Sequence, residues 1–297
     1  MSRQHVPHIG ISLTISAYFF LSLFSALNKA VQEAGFPWSQ VMLFDGIVGA
    51  LCMVFISWTQ KDLKGLRWKN WQWQAPLMII NTAGAYLTFQ AYPYLPLVNA
   101  YLIAFCGPLI IATLSAIFLK ERMRLKQAAA IIVSFIGVVI AMGPQDVVVH
   151  ADMLSAIVKM FAGISMFAIA QVMVRKLSDT ESTWSFPFYY YVGMAAVSVL
   201  LFHAEYKMPV APREWGMLLG LGVLDAAALA MIYMGLRYSK ASVNAPFQYS
   251  CLLWVVLLDM VLWDKFPQAH TWAGAAIVVT AGIYLATLAR KRPKKRD

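Results

Sequence analysis

Acidic and amide side chains set inside long apolar runs are the part of this sequence equipped for chemistry. Asp45 lies in the run Pro37–Trp58, Asn81 in Trp73–Tyr92, Lys159 in Met153–Val174 and Asp225 in Trp215–Leu236. A charge at the centre of a bilayer costs at least about 2.5 kcal/mol on insertion scales, so such a residue marks a substrate or ion pathway unless a neighbouring helix satisfies it. Asp225 and Asn81 fall near the middle of their runs. Asp45 and Lys159 fall at similar depth, roughly a third of the way in from one face at ~1.5 Å per residue. They suit each other as a pair, either a gate opened by a proton or a charged ligand, or a fixed salt bridge. Asn99, Asn244, Gln248 and Tyr249, with Ser25, Gln90 and Gln171, are polar groups that an apolar run does not need. Tyr86 and Trp254 add aromatic faces able to stack on a planar ligand or cup a cation. For each of these the competing role is tying helices together or filling space between them.

The elements that must position these groups are set by composition. The chain has 297 residues, of which 60% are hydrophobic and only 13% charged. A spanning helix needs roughly 20 apolar residues, and ten such segments are expected: Ile9–Ala30, Pro37–Trp58, Trp73–Tyr92, Leu97–Leu119, Leu125–Met142, Met153–Val174, Trp184–Phe202, Trp215–Leu236, Ala241–Leu262 and Thr271–Leu288. The runs lack the alternation of barrel strands, and backbone groups in hydrocarbon must be satisfied internally, so the fold class is an all-α polytopic membrane protein. The intervening segments are too short for a soluble domain. The first run lacks a short h-region with a cleavage site and reads as a retained span.

The net charge of +10 is distributed by face. Ten spans put both termini on one side, and that side collects Arg3, the basic residues of 61–69, 120–126, 175–176 and 237–240, and the tail 290–296. Only Lys29, Lys159, Lys207, Arg213 and Lys265 fall elsewhere. The positive-inside rule reads this as cytoplasmic termini. The basic tail anchors topology and contacts anionic lipid rather than nucleic acid, for which no aromatic-interleaved basic fold is present. Cys52, Cys106 and Cys251 all lie inside spans, and the five histidines form no metal-binding pattern, so no metal and no cofactor is expected. The cluster Phe188–Tyr191 and the tryptophans Trp68, Trp71 and Trp73 read as interfacial aromatic belts.

The sequence repeats with a period of about 145 residues. Trp38-Ser39 recurs as Trp184-Ser185, Asn81 aligns with Asp225, Tyr94 with Tyr238, Val98-Asn99-Ala100 with Val243-Asn244-Ala245, Cys106 with Cys251 and Gly137 with Gly282. The expected organisation is a first five-helix repeat over 1–144, a second over 145–289 and a basic tail over 290–297. An odd number of spans per copy inverts the second relative to the first. Such inverted repeats place a binding site at their interface near the midplane and work by alternating access.

At this point the chain resembles the drug/metabolite transporter superfamily, and within it the EamA-type transporters. The likeness rests on Ala91-Tyr92-Pro93-Tyr94-Leu95-Pro96-Leu97, on the stretch from Pro108 to Ile117-Phe118-Leu119-Lys120-Glu121-Arg122, and on Gly137. Gly235-Leu236-Arg237-Tyr238 and Trp263-Asp264-Lys265 are weaker second-half versions. The resemblance implies a ten-span carrier of metabolites. The chain departs from the family where members often carry an arginine in the second span, because it has Phe44-Asp45-Gly46 there. That reversal of sign argues against anionic cargo. The terminal family glutamate is represented in the second half only by Asp264.

The expected function is therefore secondary-active transport of a small polar metabolite, an amino acid or other amine-bearing compound, driven by protons or exchange. The partners are the small-molecule substrate and the lipid bilayer, and a homodimer is compatible but not implied. A membrane scaffold is the alternative, though it would not require polar groups at its centre. An intramembrane enzyme would need a competent aspartate dyad or a nucleophile with its base, and Asp45 with Asp225 lacks the tight glycine setting of such a dyad. No phosphate-binding glycine loop is present, so the chain hydrolyses no nucleotide.

Overall fold

The computed structural model describes residues 7–67, 70–91, 94–95, 100, 103–120, 125–142, 151–178, 181–200, 206–263 and 266–290. Among these, every regular element is helical. The first half contains α1 (Pro7–Glu33), α2 (Trp38–Thr59), α3 (Trp71–Ala91), α4 (Gly107–Phe118) and α5 (Leu125–Met142). The second contains α6 (Ala151–Leu177), α7 (Ser185–Leu200), α8 (Pro212–Tyr238), a one-turn α9 (Ala241–Asn244), α10 (Ser250–Trp263) and α11 (Ala269–Arg290). Among the described residues, five segments are long and apolar enough to cross a membrane by length and composition, namely Pro7–Gln32, Trp38–Thr59, Met153–Leu177, Pro212–Tyr238 and Ala241–Leu258. Shorter apolar helices cover Gly107–Phe118, Leu125–Ala141 and Ser185–Leu200. In α3 the polar residues Gln72, Gln74, Asn81, Thr82, Thr88 and Gln90 dilute an otherwise apolar helix.

Two segments expected as unbroken helices are interrupted. The ninth runs from α9 through a 3-10 turn, Ala245–Tyr249, into α10, with Pro246 at the start of the turn. In the fourth, Phe105–Cys106 form a turn before Gly107-Pro108 opens α4. Proline lacks the N–H that would continue an α-helix and its ring crowds the preceding turn, so it is best accommodated at a helix start. The helix starts that follow the two breaks correspond, since Cys106 just before α4 aligns with Cys251 at the start of α10, although the prolines themselves do not align.

Every extensive helix pair joins one half to the other. The pair α1 with α8 answers to α6 with α3, and α1 with α10 answers to α6 with α4. Likewise α2 against α8 answers to α7 against α3, while α2 packs on α7 and α5 on α11, each against its own repeat mate. Large apolar residues such as Leu51, Phe55, Ile79, Val158, Val223, Val261 and Ile283 are exposed on the outside. Polar and tyrosine side chains, including the fully buried Tyr191, Tyr233 and Tyr249, are gathered inside. A surface of this kind is matched to hydrocarbon rather than to water.

The α2–α7 contact depends on close approach of backbones. A Cβ on Gly46 would stand 2.6 Å from the Ala195 nitrogen and 2.9 Å from the Tyr191 carbonyl oxygen. Gly49 on the next turn receives the Tyr191 ring. Neither obstacle at Gly46 is a flexible side chain, so the helices must separate to admit even a methyl group. Gly46→Ala is expected to cost about 2–3 kcal/mol, the upper part of the overpacking range, and to lower the thermal midpoint in detergent. An unchanged midpoint would show that the α2–α7 contact yields at no cost.

Candidate functional site

A cavity of about 230 Å³ lies between the two halves, lined from α1, α2, α3, α4, α6, α7, α8 and the start of α10. Its polar lining includes Asp45, Asn81, Asp225 and Gln248, with Ser25, Asn28 and Thr88 along α1 and α3. Tyr18, Phe24, Phe89, Phe105, Phe167 and Tyr190 supply aromatic wall. The described lining contains two carboxyl groups and no lysine, arginine or histidine. At about 30 Å³ per water the space holds roughly seven or eight waters, below the 300–1,000 Å³ of drug-sized pockets.

The helices present these groups through their crossings. Gly222, one turn before Asp225 on α8, packs against Val48 of α2. That contact sets α8 on the same stretch of α2 that carries Asp45. On the far wall α3 and α6 cross at Gly84 and Gly163, and both glycines open onto the cavity. The crossing lies one turn beyond Asn81.

The polar groups differ in how they are satisfied. Asp225 is 7% exposed and accepts a hydrogen bond at Oδ2 from the Tyr191 hydroxyl, 2.8 Å away. Asn81 donates through Nδ2 to the Tyr233 hydroxyl at 3.0 Å, while its Oδ1 has no partner. Asp45 is 1% exposed, and its Oδ1 likewise has no hydrogen-bond partner. Gln248 donates to Gln171 Oε1 at 3.2 Å, joining the 3-10 turn to α6.

The remaining residues singled out from the sequence lie elsewhere. Lys159 is half-buried on α6, does not line the cavity, and forms no ion pair with Asp45 among the described residues. The expected Asp45–Lys159 pair is therefore absent. The two helices concerned belong to different packing partnerships, α2 with α7 and α8, α6 with α3 and α4. Matching depth did not imply a shared interface. Asn244 accepts a hydrogen bond from the Ser239 hydroxyl and braces the junction of α8 and α9. Tyr249 is fully buried behind Phe105, with ring centroids 5.8 Å apart. Trp254 packs edge-on against Phe19 at 5.1 Å. Tyr86 meets Trp38 at 5.8 Å and accepts a hydrogen bond from Gln90 at 2.7 Å. Asn99, Glu121 and Asp264 lie outside the described residues.

Tyr190 and Tyr191 correct the reading of their cluster as an interfacial belt. Tyr190 lines the cavity, and Tyr191 has no exposed surface and holds Asp225. One signal was present: the register that lays Trp38 on Trp184 also lays Asp45 on Tyr191.

Polar contacts join the two halves near the helix ends on either side of the cavity. At the α6–α7 link, buried Glu181 accepts from Asn70 at 2.7 Å and Gln74 at 2.8 Å, and Ser182 donates to Asp62 at 2.6 Å. Within the second half, buried Arg175 donates to the Leu236 carbonyl at 2.6 Å, tying α6 to α8. At the other end of α2 the Gln40 side chain donates to the Lys207 carbonyl at 2.7 Å and accepts from its N–H at 3.1 Å. The Lys207 ammonium reaches the Ala34 carbonyl and stands 3.5 Å from Glu214. These two latches are repeat equivalents: the α2–α3 link on the α6–α7 link, and the α7–α8 link on the α1–α2 link.

Comparison with known proteins agrees with this architecture. The pseudopaline exporter of Pseudomonas aeruginosa is 27% identical over 286 residues, covering 93% of this chain and 95% of the relative. The riboflavin transporter of Vibrio cholerae is 24% identical over 301 residues, covering 99% and 98%. An S-adenosylmethionine uptake transporter of Rickettsia bellii is 27% identical over 201 residues, covering 68% and 67%. A crystal structure 19% identical in sequence superposes with a TM-score of 0.79 over 97% of this chain and 99% of its own, which establishes the likeness of fold. The model of the EamA-like transporter family matches twice, at residues 8–143 and 154–288. With both halves matched, the chain belongs to the EamA-like transporter family and is an integral, multi-pass membrane protein that moves small molecules.

Proposed function

We propose that this protein is a secondary-active carrier of a small amine-bearing metabolite, working by alternating access. The observation that supports it is the cavity with two buried carboxyl groups, an aromatic wall and no basic side chain in its described lining. A buried carboxylate without a counter-charge is strongly disfavoured. Either protons neutralise Asp45 and Asp225, or a cationic ligand does, and competition between them couples a proton gradient to transport. Exchange of one cationic metabolite for another uses the same site without net proton flow. The cavity volume of about 230 Å³ favours a metabolite smaller than a typical drug.

Ten spans with cytoplasmic termini complete this reading, with inverted repeats over 1–144 and 145–289 and the tail 290–297 along the inner face of a bacterial inner membrane. The Glu181 and Gln40–Lys207 contacts act as the two latches between which access alternates. The activities named for the relatives, pseudopaline export, riboflavin transport and S-adenosylmethionine uptake, differ in cargo and direction. The carrier role is therefore taken from the family, and the cargo class from this chain's own side chains.

The test is metabolite retention in proteoliposomes loaded with cell extract, followed by mass spectrometry with and without an imposed pH gradient. The expected result is selective loss of amine-bearing compounds relative to protein-free vesicles. Release restricted to anionic compounds would overturn the cargo class, and folded protein that releases nothing would favour the scaffold.

A further inference from the structure

The two halves of the cavity wall are chemically unequal where the repeat makes them equivalent. The alignment of Trp38 with Trp184 places Asp45 at the position of Tyr191, and the alignment of Trp71 with Trp215 places Asn81 at that of Asp225. In the second half the two positions form a complete donor–acceptor pair, the Tyr191 hydroxyl on the Asp225 carboxylate at 2.8 Å. In the first half the corresponding positions hold a carboxylate and an amide oxygen. Asp45 Oδ1 and Asn81 Oδ1 are both buried without a hydrogen-bond partner, and both residues open onto the cavity. One N–H of Asn81 goes to the Tyr233 hydroxyl, and the other does not reach Asp45 Oδ1, which has no partner.

Buried acceptors are normally paired, and leaving one bare costs more than its hydrogen bond contributes when made. We propose that Asp45 and Asn81 form the ammonium subsite, and that the donor missing between them is brought by the ligand as a protonated amine carrying at least two N–H groups. The subsite rests on the carrier reading and sharpens it. A quaternary ammonium would satisfy the charge of Asp45 but neither bare oxygen, so the site selects primary over quaternary amines. Asp225, already held by Tyr191, contributes negative potential from the opposite half without being the first contact of the amine. Aromatic wall alone would give no such preference, because a ring face accepts a methylated cation as readily as one bearing hydrogens.

The test uses n-butylammonium and butyltrimethylammonium as probes of the full-length protein in detergent. Binding is read from the rise in melting temperature. Its location is read from protection of Cys251, a cavity-lining thiol, against N-ethylmaleimide with Cys52 and Cys106 replaced by alanine. The primary amine is expected to bind at least tenfold more tightly than the quaternary one. Asp45→Asn and Asn81→Leu should each remove that discrimination, whereas Asn81→Asp, which keeps an acceptor at the same place, should retain it. Equal binding of the two probes, no binding of either, or full discrimination in Asp45→Asn would overturn the subsite. Because these readouts need no transport, a protein that binds the primary amine selectively but moves nothing in vesicles would keep the subsite and lose the carrier reading.

Discussion

Asp225→Asn is expected to leave a folded protein whose pH-driven transport falls by roughly 100-fold or more. The asparagine keeps the shape of the carboxyl and retains an oxygen to accept from Tyr191, so the hydrogen bond at 2.8 Å has a replacement. What is lost is one of two acidic groups in a cavity whose described lining has no basic side chain. Losing one partner of a buried charge contact costs about 2–5 kcal/mol, and every 1.4 kcal/mol is tenfold in binding. The measurement is uptake of a radiolabelled amine into proteoliposomes with and without a pH gradient, beside the melting temperature of the purified variant. An unaltered response to the gradient would remove Asp225 from coupling. A collapsed melting temperature would instead make it a packing residue.

The second large effect is expected from the latches. Glu181→Ala removes the acceptor of Asn70 and one of two acceptors of Gln74, which also reaches Ser185, and Gln40→Ala removes both bonds to the Lys207 backbone at the other end of α2. A hydrogen bond to a charged group contributes about 1.5–3 kcal/mol, so loss of the Glu181 pair shifts the balance between access states by roughly 10-fold to 100-fold. The neutral Gln40 pair should shift it less, and in the opposite sense. Cys251 reports the outcome, since its labelling by a membrane-impermeant maleimide depends on which face is open. With Cys52 and Cys106 replaced by alanine, Glu181→Ala should raise labelling from one side of the membrane and Gln40→Ala from the other. Equal labelling from both sides in either variant would show that the contact is structural glue rather than a gate.

Some of this was legible before any fold was known, for a physical reason. Asp45, Asn81, Asp225 and Gln248 stand out because a polar group in an apolar helix is costly unless a partner or a cavity receives it, and all four line the cavity. Asn244, Tyr249 and Trp254 carry the same signal, yet their surroundings are packing. Asn244 braces the α8–α9 junction, and two rings, Phe105 and Phe19, meet Tyr249 and Trp254. Polarity alone does not say which of those outcomes a helix will choose. Tyr191 was hidden for the opposite reason, since a tyrosine near a span end is what an interfacial belt looks like. The helix pairing was hidden too. A helix apolar nearly all round has no stripe that names its partner, so depth suggested Lys159 for Asp45 while the packing assigned them to different neighbours. The breaks at Pro108 and Pro246 were readable from proline and were masked by the length of the apolar runs around them.

The reciprocal packing of the halves bears on how the chain is made. The largest contact of α1 is with α8, and that of α3 is with α6. Synthesis runs from the amino end, so the first five helices reach the bilayer while their main partners are still unbuilt on the ribosome. Asp45 and Asn81 must wait there among lipid or borrowed neighbours until the second half arrives. The fold is thus completed only when the second half is in place, and a chain cut short after α5 leaves α2 and α3, with Asp45 and Asn81, without their main packing partners. Such a fragment is an open target for membrane quality control, so the duplication that creates the cavity also ties its birth to a finished chain.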